Sequence, residues 1–251
     1  ESFEYIPRIY WTKEDDELVI TTMNRLQNKL TLWKVEVDGD EVEVEKMYEE
    51  TAKTYMEIDD DIRFLEDGSF IWTSEKDGYN HIYHMDDEGE VIRQLTSGKW
   101  DVTEFYGIDE ESETLFFQSA EESPMHRAIY SIELDGKNKE KLSEKRGWNQ
   151  AKFSDGFKYF INTYSSKDVP PQETLRTSDG ELVRTINTNE NLKERLEGYD
   201  ISPKEFFSFT TDYGQTLNGW MIKPQDFDPG KEYPLLMFVY GGPGAQTVKD
   251  E

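Results

Sequence analysis

Ile62-Arg63-Phe64, Glu66-Asp67-Gly68, Ser69-Phe70-Ile71-Trp72-Thr73-Ser74, Asn80-His81-Ile82-Tyr83-His84-Met85 and Val91-Ile92-Arg93-Gln94-Leu95 follow one another in one short stretch, with Gly89 ahead of the last. Short β-branched and aromatic runs separated by acidic, glycine-bearing turns read as an antiparallel meander. The same grammar precedes it: Ile6 to Trp11, Glu17 to Thr22, Lys29 to Val37, the turn Asp38-Gly39-Asp40, and Glu41 to Glu45. It returns with Thr103 to Ile108, Thr114 to Ser119, Arg127 to Ile132 and Asp135-Gly136. A weaker copy runs through Gln150 to Phe153, Tyr159 to Tyr164, Gln172 to Thr177, Asp179-Gly180 and Leu182 to Ile186. Matching second strands recur roughly every 45 residues, the period of four-stranded propeller blades. One such sheet cannot bury both its faces, so the copies are expected to stack. The expected fold is mainly β, with four antiparallel four-stranded sheets over about residues 5–187. They should form an arc with apolar end faces and not a closed ring.

Composition narrows the function classes. The 251 residues carry 54 acidic and 28 basic side chains, a formal charge of −26. That field repels phosphate backbones and anionic headgroups, so nucleic acid and membrane surfaces are disfavoured partners, while cationic peptide amines are attracted. Aromatic content of 14% supplies a sizeable core and argues against disorder. Without cysteine there is no disulfide framework, thiol nucleophile or cysteine metal site. No segment reaches the roughly 18 apolar residues of a membrane span. Glu1-Ser2-Phe3-Glu4-Tyr5 is not a signal peptide, and a chain opening in strand-like sequence without Met is expected to be a fragment with any targeting signal upstream.

Beyond the fourth copy the pattern changes. Asn191 to Gly198 reads as a short helix with Asn191 and Glu194 as a capping box, Leu192 and Leu196 on one face, and Gly198 as the stop. Ser202-Pro203 marks a boundary. Glu205 to Thr210 and Leu217 to Lys223 flank Asp212-Tyr213-Gly214 as a hairpin. Then comes the most apolar run of the chain, Leu235-Leu236-Met237-Phe238-Val239-Tyr240, which stops at Gly241-Gly242-Pro243-Gly244. A buried strand followed by a sharp turn is expected there. The glycines serve either a tight turn after a core strand or the close approach of a ligand.

A blade array passing through a short helix into a hairpin and then Lys231-Glu232-Tyr233-Pro234-Leu235-Leu236-Met237-Phe238-Val239-Tyr240-Gly241-Gly242-Pro243-Gly244 resembles the prolyl oligopeptidase family of serine peptidases, in its dipeptidyl peptidase IV branch. Tyr5 to Trp11, Asn24 to Asn28, Ser74 to Tyr83 and Leu95 to Val102 resemble that branch in matching order. The resemblance covers essentially the whole chain. It implies the carboxy-terminal half of an eight-bladed β-propeller over residues 1–200 and the first strands of an α/β-hydrolase domain over 201–251. The implied activity is removal of dipeptides from a free amino terminus after proline or alanine, in a cavity that the propeller gates. The implied parent is a homodimer, periplasmic or extracellular in a bacterium, with peptide substrates and no cofactor. The resemblance also assigns Tyr240 the donation of its hydroxyl to the oxyanion.

The departures are equally specific. These 251 residues contain no Gly-x-Ser-x-Gly, and so none of the Asp and His that follow it in this family. The chain is therefore expected to be inactive alone. The glutamate pair that holds the substrate amine in the family lies, by analogy, on earlier blades; Glu49-Glu50, Glu110-Glu111 and Glu121-Glu122 stand beside turns in other contexts. His81 and His84 differ by three on a strand and point to opposite faces, which disfavours a shared metal. His126 reads as a loop residue. Asp59-Asp60-Asp61 lacks the pattern of a calcium loop, and Gly241 to Gly244 that of a phosphate loop. The alternative to an enzyme fragment is a non-catalytic propeller serving as a protein-binding module.

Overall fold

The computed structural model describes residues 3–58, 60–242 and 244–251. Asp59 and Pro243, each part of a motif above, lie outside the described residues, as do Glu1 and Ser2. Four antiparallel four-stranded sheets follow in chain order. The first comprises β1 (Tyr5–Trp11), β2 (Glu17–Met23), β3 (Lys29–Asp38) and β4 (Glu41–Thr51); the second β5 (Arg63–Phe64), β6 (Phe70–Ser74), β7 (His81–Met85) and β8 (Val91–Gln94). The third holds β9 (Val102–Asp109), β10 (Thr114–Ser119), β11 (Ala128–Glu133) and β12 (Glu140–Lys141); the fourth β13 (Trp148–Phe153), β14 (Tyr159–Ser166), β15 (Val169–Thr177) and β16 (Leu182–Asn187). Every sheet keeps its strands in sequence order, which is the meander that the sequence pattern predicts. A helix, α1 (Glu190–Leu196), and a hairpin of β17 (Lys204–Thr210) and β18 (Thr216–Ile222) complete the regular structure.

The strands form where apolar periodicity and turn chemistry agree. Asp38-Gly39, Asp135-Gly136 and Asp179-Gly180 turn the third strand of a sheet into the fourth, and Gly89 stands at the same place in the second sheet, each glycine with positive φ. All five residues of β6 and all five of β7 are buried, so the two inner strands of this sheet are covered on both faces, as inner blade strands must be. By contact density the chain divides into two compact units, Glu1–Phe117 with Ser131–Glu140, and Gln118–Tyr130 with Lys141–Glu251. In the first, Val19, Met23, Leu30, Leu32, Met47, Phe70, Trp72, Tyr83 and Met85 form one continuous core drawn from β2, β3, β4, β6 and β7. Ile6, Ile9 and Trp11 on β1 remain exposed, as do Leu182, Val183 and Ile186 on β16 in the second unit.

Four sequence expectations need correction. β4 continues through Thr51 because its register against β3 shifts between Leu32 and Trp33; the extra residue, Met47, drops into the core and breaks the simple alternation that ends at Glu45. The last sheet begins at Trp148 and not Gln150. Helix α1 starts one residue before the proposed capping box. Asn189 is its N-cap in the left-handed region with no side-chain cap; its Oδ1 accepts instead from Asn187 Nδ2 at 3.3 Å, while its Nδ2 donates to Pro171 O. Leu192 and Leu196 pack against nothing that buries them. Finally, Leu235–Tyr240 is not a buried strand. The run has no regular secondary structure, pairs with no strand among the described residues, and leaves Leu236 96% exposed. A strand is completed by a neighbour that accepts from its N–H groups and donates to its C=O groups, and none is present among the described residues.

Candidate active-site segment

The segment after the hairpin is held at two points. Upstream, the Tyr233 ring stacks on Phe227 with centroids 5.2 Å apart, and its hydroxyl accepts the Asp228 backbone N–H at 2.9 Å. Between them, Asp228 accepts the Gly230 N–H at 2.9 Å, closing the loop that launches the apolar run. The run ends at Tyr240, which is 61% exposed. Its ring folds back over Gly242: a Cβ on that glycine would stand 2.9 Å from the Tyr240 hydroxyl and 3.0 Å from two ring carbons. Gly241 has open space where a side chain would be. The backbone then turns, with Ala245 N–H donating to Gly242 O at 3.2 Å.

Downstream, the chain lies against the second unit's own loop and strand ends. Arg127 donates to Gln246 Oε1 at 2.7 Å, and the Gln246 amide donates to Pro124 O. Asp250 N–H donates to Met125 O at 3.0 Å, while the Asp250 carboxylate accepts from Lys167 N–H at 2.8 Å and faces His126 Nε2 at 3.3 Å. His126 lies in a loop, as the sequence suggests, and that loop is buried: the residue is only 7% exposed, with Arg127 at 8%. Arg146 Nε donates to His126 Nδ1 at 3.0 Å, so the neutral ring carries its proton on Nε2, toward Asp250. Burial, reinforced by the Arg146 cation, holds the His126 pKa below its usual value, with Asp250 and Glu122 opposing.

The paired glutamates divide by role. Glu49 is ion-paired to Lys29 at 3.2 Å and to Lys46 at 3.5 Å, and these ammonium groups hold its carboxyl below the usual range. Glu50 accepts from Ser74 Oγ at 2.7 Å, Tyr48 Oη at 2.8 Å and Trp72 Nε1 at 3.4 Å, which joins β4 of one sheet to β6 of the next. Burial, with Glu50 beside it, pushes the Tyr48 phenol well above its usual pKa. Lys76, its own pKa lowered by burial, sits 3.9 Å over the Tyr83 ring. Glu110 accepts from Lys13 at 2.8 Å and from Glu66 N–H at 3.1 Å, and Glu122 from Lys141 at 2.5 Å. Each pair thus has partners of its own within the fold.

His81 and His84 serve separate surroundings, as their spacing predicts. His81 Nε2–H donates to Gly98 O at 3.1 Å and its Nδ1 accepts from Thr96 at 3.1 Å. His84 Nε2 meets Ser69 Oγ at 2.9 Å, and Ser69 gives its own proton to Asp67 at 2.6 Å. That Asp-Ser-His chain runs the wrong way for a nucleophile: the serine proton goes to the carboxylate and not to the imidazole, and Ser69 is buried. Among the described residues no group of three His, Cys, Asp or Glu side chains could hold a metal ion, and no helix is long and apolar enough to cross a membrane.

Comparison with known proteins gives a consistent picture. Residues 1–171 match the family model for the dipeptidyl peptidase IV (DPP IV) N-terminal region. Dipeptidyl peptidase 4 of Trichophyton rubrum is 30% identical over 242 residues, 93% of this chain and 31% of that protein. Dipeptidyl peptidase 4 of Arthroderma otae is 33% identical over 182 residues, 71% of this chain and 24% of that protein. Among solved structures, that of Porphyromonas gingivalis dipeptidyl peptidase 4 superposes with a TM-score of 0.89 at 44% identity, over 98% of this chain and 35% of that one. The chain thus spans only 20% to 32% of the length of such curated relatives.

Proposed function

The chain belongs to the dipeptidyl peptidase IV family, and from that membership we propose that it is part of a serine exopeptidase releasing Xaa-Pro and Xaa-Ala dipeptides from free peptide amino termini. In this reading residues 1–200 are the carboxy-terminal half of a substrate-gating β-propeller, and residues 201–251 begin the α/β-hydrolase domain. The parent protein is a homodimer in the periplasm or outside the cell. These 251 residues are inactive alone, because no serine elbow is present to form an acyl-enzyme. The observation that carries the reading is Tyr240 at the end of the apolar run, its ring lying over a side-chain-free Gly242.

The chemistry follows from where charge develops. When a serine attacks the scissile carbonyl, the carbonyl oxygen becomes an anion, and a donor waiting there binds the transition state more strongly than the ground state. The Tyr240 phenol supplies that donor, and the glycines leave room for the substrate beside it. Phenylalanine keeps the ring and deletes only the hydroxyl. In the whole protein, Tyr240→Phe should lower kcat on a Gly-Pro amide by roughly 100- to 1000-fold, the usual loss for one oxyanion donor. KM should change far less, since ground-state contacts survive. A folded Tyr240→Phe enzyme with near-normal kcat sinks the Tyr240 assignment. A whole protein that fails to cleave dipeptidyl amides at all sinks the peptidase reading, and leaves a protein-binding propeller in its place.

A further inference from the structure

A donor stabilises a transition state only where it is held in place, and the turn that follows Tyr240 is tied down by side chains of the same compact unit. The glycines after it add freedom of their own. That restraint lies downstream of the phenol, on side chains that no oxyanion chemistry requires. We propose that Arg127 and His126 are positioning residues, which clamp Gln246 and Asp250 and so hold the Tyr240 turn in register.

The clamp is built on a buried base. Arg127 is fixed through its backbone, its N–H donating to Gly147 O at 2.9 Å and its carbonyl accepting Asn149 N–H at 3.0 Å. Its guanidinium lies 4.5 Å over the Trp148 ring and donates to His126 O at 2.7 Å and Pro124 O at 3.0 Å. That leaves Nη2 aimed at Gln246, a planar donor set with little conformational freedom to lose. The second point is independent: Asp250 is received by His126 Nε2–H and by the Lys167 backbone N–H. Lys249 completes the wrap, its ammonium 4.5 Å from the same Trp148 ring.

The path from clamp to phenol is short. Gln246 adjoins Ala245, whose N–H closes the turn onto Gly242 O, and Gly242 is the floor on which the Tyr240 ring rests. Releasing Gln246 and Asp250 would free that turn as a unit. Charge-assisted hydrogen bonds are the strong members of the set, so their loss should be the one that is felt. Displacing a donor by even a fraction of an ångström costs transition-state stabilisation while leaving substrate binding nearly intact.

The inference rests on the peptidase reading for its kinetic consequence, but not for its mechanical one. The test therefore has two arms on the whole protein carrying Gln246→Ala, Asp250→Ala or both, with the exposed Thr247→Ala as control. Hydrogen exchange of the peptide spanning residues 240–251 should quicken several-fold in each clamp variant and most in the double variant, with the control unchanged. On a Gly-Pro amide, kcat should fall roughly tenfold per clamp point with KM within about twofold, and Gln246→Glu, which keeps an acceptor for Arg127, should retain most of the activity lost in Gln246→Ala. Unchanged exchange in the double variant overturns the clamp. Faster exchange with normal kcat overturns the positioning role. If the wild-type protein is inactive, the peptidase reading falls and the exchange arm alone decides whether the clamp exists.

Discussion

Replacing Gly89 by alanine should destabilise the first unit far more than the same change at Gly39, although both glycines stand in third-to-fourth-strand turns with left-handed backbone. Gly89 has φ of +80° and Gly39 of +63°, so each alanine pays the left-handed penalty of about 1–2 kcal/mol. At Gly39 nothing lies within 4 Å of the new Cβ, and the penalty ends there. At Gly89 the Cβ would stand 2.0 Å from the Met47 carbonyl oxygen, 2.9 Å from its carbon and 3.1 Å from Tyr48 Cβ. Those are backbone and strand atoms of β4 in the preceding sheet, and Met47 is itself part of the core. The turn must back away by more than an ångström, which parts the two sheets where they meet. Overpacking of that kind costs about 1–3 kcal/mol, giving a total of about 2–5 kcal/mol for Gly89→Ala. Urea unfolding followed by tryptophan fluorescence reads the difference, provided the slope with denaturant is unchanged. Equal losses for the two variants would mean that the close approach of turn to strand does not set the seam between neighbouring sheets.

Two further outcomes follow from side chains inside the first unit and one clamp group in the second. Glu50→Ala strands the donors of Tyr48, Ser74 and Trp72 and should cost about 1–3 kcal/mol, whereas Glu49→Ala breaks partly exposed ion pairs worth at most about 1 kcal/mol; denaturation midpoints in the reverse order would refute the ranking. Burial depresses the pKa of both His84 and His126 below 6.5, so each contributes stability that is complete above that value and is lost as pH falls below it toward the lowered folded-state pKa. His84→Gln should therefore flatten the fall of the unfolding midpoint between about pH 6.5 and 5, the histidine range, and a slope identical to wild type would show that His84 titrates as freely folded as unfolded.

How much of this was legible in the sequence depends on whether the deciding interaction is local. The meander is local. Phe70 to Ser74, the Asp-Gly turns and the recurrence of both announce a sheet whose strands pair with their sequence neighbours, and the four sheets appear in that order. Tyr240 was singled out by the family pattern, and the fold gives it the Gly242 floor that the pattern alone could not describe. The bulge at Met47 is hidden in sequence because one inserted residue reverses the alternation on which strand reading relies, so a local window does not show Glu50 as the link between two sheets.

Two features, the cover of Leu235–Tyr240 and the burial of His126, depend on what surrounds a segment and not on the segment itself. Leu235 to Tyr240 has every property of a buried strand except a neighbour, and hydrophobicity reports a need for cover without saying what meets it. His126 has the opposite problem. Its surroundings, Ser-Pro before it and Arg after, read as a polar loop, and nothing within that window marks it as buried. What buries it is Arg146 on one nitrogen and Asp250 on the other, the second more than a hundred residues away. Asp250 and His126 are each unremarkable in sequence; the fold brings them together just past the turn at Gly242, where Arg127 also meets Gln246, and it is that long-range pairing which a local window does not display.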